Sequence, residues 1–419
     1  MRQLAPGAAV NAVKLMTSQP NHAFWVLVQQ VAVRGLIALK FLLAARLLGP
    51  EQIGQVGIAL LSLAIVEALS DTGLSQAVVQ RHSTVNPKEA GAVWTLQMTR
   101  GIVLAMALLL LALPFAGFFK APEAAGLVAI AAIIPLLRNT INPGVFFTQR
   151  DRNFRKLSIY EASAALVDLS ATLLLIDLGF GAASLLLGNI ASDGVKLFLS
   201  WAWLRTSIQP TFRWHQIREL TSYGKWIWGT SVITLLLNQF DKVLVAKLLG
   251  TTEFGLYQVA SRIAQLVVAD GAIALGQYLF PTFAKRFRTD RKSASDYLGW
   301  VLRRLIPLAG VIALFLAVMA GSIIDMALGP EWHKAVPVLQ VMAISMFFGG
   351  TIAVLVAYFR AAGLPHVVTL AVSVQLLVLV VAGPLLVWNL GSVGMASASA
   401  LALAAASAFL ALKIKNGSR

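Results

Sequence analysis

The 419-residue sequence predicts an all-α, polytopic membrane protein with about twelve transmembrane helices in two parallel six-helix repeats around a central cavity. Three observations lead there. Hydrophobic residues make up 58% of the chain and charged residues only 12%, against roughly 25% charged in a soluble domain. Apolar stretches of about 20 residues, the length a bilayer crossing requires, follow one another with short polar breaks between them. Finally, "ARLLGPEQIG" at 45–54 returns as "AKLLGTTEFG" at 246–255, keeping Ala45/Ala246, Arg46/Lys247, Gly49/Gly250 and Gly54/Gly255 at an offset of 201.

In chain order the predicted spans are 24–46, 54–80, 90–117, 123–148, 157–177, 181–204, 225–249, 254–281, 297–320, 335–359, 366–388 and 392–412. The first six form an N-terminal lobe, 1–204, and the last six a C-terminal lobe, 225–419. Residues 205–224 are read as a cytoplasmic linker whose Trp214, Ile217 and Leu220 make a short apolar face. Each copy of the decapeptide closes the first span of its lobe and opens the second, so it is an outer turn, and its glycines suit a tight turn. Six is even, so both lobes enter the membrane from one side. They are expected to be parallel repeats about an axis along the membrane normal, with a substrate path at their interface. Pro135, Asn139, Asn142, Pro143 and Gly144 interrupt span 4, either to bend it around a cavity or as a packing kink. Trp25, Trp94, Trp201, Trp203, Trp226, Trp228, Trp300 and Trp388 fall mostly near span ends and read as interfacial anchors.

A net charge of +16 raises the question of nucleic acid, and its distribution answers it. With the N-terminus inside, cytoplasmic segments hold 21 Lys/Arg and outer loops only Arg46, Lys120, Lys247 and Lys334. That bias is the positive-inside rule; no nucleic-acid partner is expected, and both termini are placed in the cytoplasm, the chain being multi-pass in the cytoplasmic (inner) membrane. Residues 1–23 are polar, and the following span carries Arg34 and Lys40, so no cleavable signal peptide is expected. The chain has no cysteine, and His22, His82, His215, His333 and His366 lack ligand spacing. Neither a metal site nor a cofactor is expected.

Charges inside the spans and away from their ends are costly enough to be read as functional by default. Nine are basic: Arg34, Lys40, Arg100, Arg138, Lys196, Lys242, Arg262, Arg303 and Arg304. Seven are acidic: Glu67, Asp71, Glu161, Asp168, Asp193, Asp241 and Asp270. None lies beyond Arg304, so the last three helices read as an apolar wall. Glu67 and Asp71 are four apart and Glu161 and Asp168 seven apart, which puts each pair on one helix face. Arg34 and Glu67 reach similar depth from opposite sides and are expected partners, either in a substrate site or as a structural ion pair. Asp193 and Lys196 are spaced to satisfy each other. Lys40 and Asp241 are equivalent under the 201 offset and are either a gate between lobes or locally paired. Arg100 falls within three positions of Arg303 and Arg304 under the same offset; these arginines form a phosphate clamp or snorkel to headgroups.

"AARLLGPEQIG", "LSDTGLSQAVVQR", "IRELTSYG", "FDKVLVAKLLGTTEFGLYQVASRIAQL" and "LFPTFAKRF" resemble the polysaccharide transporter branch of the multidrug/oligosaccharidyl-lipid/polysaccharide exporter superfamily, most strongly over 41–81 and 215–288. The resemblance implies a two-lobed flippase of the O-antigen (Wzx) or colanic-acid type, used in polysaccharide and lipopolysaccharide biosynthesis. Its substrate would be an anionic, undecaprenyl-pyrophosphate-linked oligosaccharide, and its other partners membrane lipid and polysaccharide assembly proteins. On this reading the candidate substrate-binding residues are Arg34, Arg100, Arg138, Arg262, Arg303 and Arg304. The candidates for gating or ion coupling are Lys40, Glu67, Asp71, Glu161, Asp168, Asp241 and Asp270. A non-enzymatic role is expected, since the chain has no phosphate-binding Gly-Lys-Ser/Thr loop and its outer loops are too short for a glycosyltransferase or polymerase site. A cation-coupled multidrug antiporter of the same superfamily stays open as the alternative, through the carboxylates at 67, 71, 161 and 168.

Overall fold

The structure, a computed structural model, describes residues 20–70, 87–151, 153–209, 214–266 and 270–417. Side chains of 20–30, 87–89, 214–231, 270–274, 346 and 416–417 among these are likewise not described, so the expectations for Asp71 and for the Asp270 side chain lie outside the described residues. The regular elements described are helices: α1 (Pro20–Leu69), α2 (Pro87–Phe118), α3 (Ala124–Ala131), α4 (Ile133–Asn139), α5 (Gly144–Arg150), α6 (Phe154–Asp177) and α7 (Ala183–Ala202). They continue as α8 (Trp214–Leu249), α9 (Thr251–Ala264), α10 (Asp270–Thr289), α11 (Arg291–Ala327), a 3-10 turn (Pro330–Ala335), α12 (Val336–Ala361) and α13 (Pro365–Gly417). Residues 214–224, read from the sequence as linker, are the first turns of α8.

Among the described residues, five helices are long and apolar enough to cross a membrane, and the pair Ala124–Asn139 and Gly144–Arg150, bent by 61°, passes the same test when the two are taken together, as a broken span or a re-entrant loop would. The 50-residue α1 and 53-residue α13 are each more than twice as long as a bilayer core is thick, at about 1.5 Å per residue and about 30 Å of hydrocarbon. Each is in fact two helices, broken at Gly49 and at Gly391. This arrangement is consistent with twelve crossings. Leu110, Leu113, Met326 and Trp388 are more than 70% exposed, a burial pattern that a lipid solvent explains and water does not.

Sequence explains the break in α1. Gly49 adopts φ 77°, ψ 171°, a region that side chains strain and glycine does not. Pro50 then starts the next helix, where its missing N–H costs nothing. Gly250 repeats the conformation at φ 86°, ψ −177° before α9. The duplicated decapeptides are therefore duplicated turns in three dimensions.

The interruption of span 4 is held by side-chain hydrogen bonds, as non-helical backbone at membrane depth requires. Asn142 Oδ1 accepts from the backbone N–H of Gly144 (2.9 Å) and of Thr206 (3.0 Å). The indoles of Trp94 and Trp201 both donate to the carbonyl of Thr140, at 3.2 and 3.1 Å. These two tryptophans therefore stitch the kink in addition to any interfacial role.

The chain divides into two compact units. One comprises Met1–Phe41, Val66–Leu110 and Ala129–Ser231; the other comprises Leu42–Ile65, Leu111–Val128 and Val232–Arg419. In the second, Leu279, Phe283, Leu298, Leu355, Tyr358 and Phe359 join α10, α11 and α12 in one buried apolar cluster.

Candidate functional site

The first unit is built around charge. Lys40, on α1, donates to both carboxylate oxygens of Asp168 on α6 (2.9 and 2.8 Å) and to Asn189 Oδ1 on α7 (2.8 Å). Lys40 and Asp168 side chains are 8% and 10% exposed, so this is a desolvated ion pair. Arg138, on α4, bridges two carboxylates, Asp193 of α7 at 2.9 Å and Glu67 of α1 at 3.5 Å. Lys196 of α7 pairs with Glu161 of α6 at 2.7 Å. Arg100 of α2 donates to Ser70 Oγ and to the carbonyl of Glu67, each at 3.1 Å, closing the C-terminal end of α1.

Local periodicity explains the assembly. Glu161 and Asp168 share one face of α6, and Asn189, Asp193 and Lys196, spaced by four and three, share one face of α7. The two helices run antiparallel through a short turn at 178–182, so these faces zip together. A Cβ at Gly188 would collide with Thr172 Oγ1 and touch Asp168, so the close approach beside Asp168 depends on that glycine. The result is four cations (Lys40, Arg100, Arg138, Lys196) and four carboxylates (Glu67, Glu161, Asp168, Asp193) in three bonded groups that together involve all six predicted spans of this half.

The pairing differs from the sequence expectations. Asp193 and Lys196 do not satisfy each other: the antiparallel neighbours Arg138 and Glu161 reach them first. The guanidinium 3.5 Å from Glu67 is that of Arg138, whereas Arg34, the expected partner, is exposed on α1. Lys40 and Asp241 each have a partner inside their own unit. Asp241, on α8, accepts from the hydroxyl of the fully buried Tyr257 of α9 at 2.8 Å. Its other oxygen, Oδ1, is buried with no hydrogen-bond partner among the described residues. Asn189 and Tyr257 were not singled out from the sequence; Asn189 could have been, since it lies one turn from Asp193 on the same face.

The second unit treats its arginines differently. Arg303 is exposed and donates to the carbonyl of Gly299, one turn earlier on α11, at 3.2 Å. Arg304 is exposed and lies 4.0 Å over the ring of Trp300. Arg262 is half-buried near the end of α9. None of the three has a carboxylate within ion-pair distance among the described residues. A cavity of about 490 Å³ opens between α10 and α12, lined by Gly276, Gln277, Phe280, Ala353, Val356, Ala357 and Arg360. Its lining is apolar apart from Gln277 and the exposed Arg360, which also has no carboxylate partner among the described residues. The sequence reading ended its span at 359 and so passed over Arg360. No cluster of three His, Cys, Asp or Glu capable of holding a metal occurs among the described residues.

Comparison with known proteins agrees with this architecture. The chain is 25% identical over 340 residues to the succinoglycan biosynthesis transport protein ExoT of Rhizobium meliloti (strain 1021), covering 81% of this chain and 68% of that one. It is 23% identical over 331 residues to the lipopolysaccharide biosynthesis protein WzxC of Escherichia coli (strain K12), covering 77% and 66%. The chain thus spans about two thirds of the length of these relatives. Among solved structures, the lipid II flippase MurJ in an inward closed conformation superposes with a TM-score of 0.75 at 14% identity, over 94% of this chain and 87% of that one. An inward-facing multidrug resistance MATE family transporter of the MOP superfamily gives 0.60 at 13% identity, over 97% of each. A family profile described as polysaccharide biosynthesis protein matches residues 43–337, more than half of the chain, and the chain belongs to that family.

Proposed function

We propose that the protein is a secondary flippase that moves an undecaprenyl-pyrophosphate-linked oligosaccharide, the repeat unit of a surface polysaccharide, across the cytoplasmic membrane by alternating access. The observation that carries this reading is which charges have partners. Glu67, Glu161 and Asp168, three of the four carboxylates that a hydrophobic-cation antiporter would use, are each paired with an internal cation; the fourth, Asp71, lies outside the described residues. Among the described residues Arg262, Arg303, Arg304 and Arg360 have no carboxylate within ion-pair distance; Lys242 also has none and bonds instead to Asn238 and Gln239, so the cations left without a carboxylate are mostly guanidiniums. A guanidinium remains charged when partly desolvated and binds phosphate oxygens through a planar fork. Such a set suits an anionic headgroup, and the apolar cavity beside Arg360 suits the first carbons of its lipid chain. The roles in the relatives' names, succinoglycan biosynthesis transport and lipopolysaccharide biosynthesis, point the same way.

In this reading the lobes 1–204 and 225–419 rock about a central cavity, and the charge bias puts both termini and the clusters at 150–156 and 285–292 in the cytoplasm. Arg34, Arg100 and Arg138 are the first unit's candidate contacts for the headgroup, Arg100 and Arg138 with part of their hydrogen-bonding capacity already engaged. No catalytic step is required. Outward movement of an anion gains about 2.3 kcal/mol per charge per 100 mV of inside-negative potential. Any coupled proton or sodium ion would be carried at Asp241, whose buried Oδ1 is unmatched, with Lys40, Glu67, Asp71, Glu161, Asp168 and Asp270 shaping the response.

Conservative substitution tests the headgroup role. Arg303→Lys/Arg304→Lys, expressed in a strain deleted for the protein, is expected to accumulate normally in the membrane and to lower surface polysaccharide severalfold. Lysine keeps the charge and loses the fork. Normal polysaccharide levels would leave both arginines as interfacial anchors, consistent with the contact of Arg304 on Trp300.

A further inference from the structure

The 201-residue duplication is also a pair of reciprocal contacts. A Cβ on Gly54 would collide with the carbonyl of Thr251, and a Cβ on Gly255 would collide with the carbonyl of Pro50. Pro50 and Thr251 are equivalent under the repeat, as are Gly54 and Gly255. Each turn therefore presses its glycine against the backbone of the other, as a local two-fold axis between them demands.

The basic residue of each motif extends the same symmetry. Arg46 donates through Nη1 to the carbonyl of Met326 at 3.0 Å, and Lys247 donates through Nζ to the carbonyl of Phe118. Phe118 is the last residue of α2 and Met326 the penultimate residue of α11, the third helices of the two halves. Each cation thus crosses to the opposite half and caps the end of its third helix. The carbonyls it meets have no onward intrahelical donor, and they lie at the negative end of the helix dipole. The Lys247 ammonium also sits 4.2 Å from the ring centre of Phe118. Immediately behind the two cations, Ala45 and Ala246 are completely buried.

We propose that Arg46 and Lys247 are matched gating residues, a latch that holds this end of the transporter closed and must release for it to open. The proposal rests on the flippase reading for its purpose and on the charge bias for naming this the extracytoplasmic end. Two features suit a reversible latch better than a permanent scaffold. The cations bind backbone carbonyls, so release leaves no buried carboxylate, and the glycine contact is backbone on backbone, free to part without repacking side chains. Opening transfers both cations to water and headgroups at once, because a rotation about the shared axis breaks both bonds together.

The absence of cysteine makes the test direct. Ala246→Cys is introduced alone and labelled in intact cells with a membrane-impermeant maleimide. Labelling is expected to be slow in the parent and about three- to tenfold faster with Arg46→Ala/Lys247→Ala, since each cation at a helix end contributes modestly. The exchange Arg46→Lys/Lys247→Arg preserves both cations and is expected to label as slowly as the parent. Equal rates in the parent and in the double alanine variant would overturn the latch, as would an exchange variant that labels like the double alanine. If the double alanine variant does not accumulate, the single variants Arg46→Ala and Lys247→Ala carry the same two outcomes. Acceleration seen only after permeabilisation would overturn the assignment of the latch to the exterior. Because labelling does not depend on which substrate is carried, failure of the latch and failure of the flippase reading give different results.

Discussion

Lys40→Met is expected to remove most of the protein from the membrane. The substitution deletes the ammonium that meets both oxygens of Asp168 and leaves a 10%-exposed carboxylate with no other cation in ion-pair distance among the described residues. Breaking a buried pair by removing one partner costs about 3 to 5 kcal/mol, far more than the pair itself contributes over a well-packed apolar substitute. The same arithmetic predicts recovery. Lys40→Met/Asp168→Leu deletes both charges and is expected to restore abundance, measured by quantitative immunoblot of membranes. Export of surface polysaccharide from the double variant should remain low, since the proposal gives Lys40 and Asp168 a part in gating or ion coupling. Full export would reduce the pair to scaffolding. Normal abundance of the single Lys40→Met variant would mean that Asp168 is not desolvated as its burial indicates.

Gly54→Ala should be nearly as damaging although it adds one methyl group. That methyl would occupy the position of the Thr251 carbonyl oxygen, and backbone cannot swing aside as a side-chain tip can. Overpacking of this kind costs about 1 to 3 kcal/mol and sometimes more. Gly255→Ala meets the carbonyl of Pro50 and is expected to behave alike. Both act on one contact, so the double variant should be less destabilised than the two singles combined. Gly117→Ala and Gly126→Ala are the controls, because a Cβ at either position has nothing within 4 Å. Thermal unfolding in detergent separates the two classes: lower midpoints for 54 and 255, unchanged or higher ones for 117 and 126. A midpoint for Gly54→Ala equal to that of the controls would contradict the reciprocal packing.

How much of this could be read from the sequence depends on whether a feature is local. Helical content, the number of predicted spans and the equivalence of 45–54 with 246–255 follow from composition and from a repeat that can be aligned by eye. Gly49 and Gly250 were legible as turn residues because only the backbone conformation there matters. The ionic residues were legible as a set, since charge within an apolar span is conspicuous. Their partners were not. Arg138 reaches Asp193 and Glu67, rather than Asp193 taking its own-helix neighbour Lys196, because the rotation of α4 and α7 about their axes decides it. No one-dimensional spacing encodes that rotation. The partner of Asp241, Tyr257, sits 16 residues away across the duplicated turn, so its bond exists only once the α8–α9 corner is folded. The acceptors of Arg46 and Lys247 are carbonyls, which every residue has, so no residue type could announce them.

The carrier-linked intermediate itself is the most direct test of the central claim. Lipids extracted from a strain deleted for this protein, analysed by mass spectrometry, should contain an accumulated polyprenyl-pyrophosphate oligosaccharide of one complete repeat unit, with the corresponding surface polysaccharide lost and both effects reversed by the intact gene. Unchanged surface polysaccharide without such an accumulated lipid, accompanied by increased sensitivity to hydrophobic cations, would contradict the flippase and favour the antiporter.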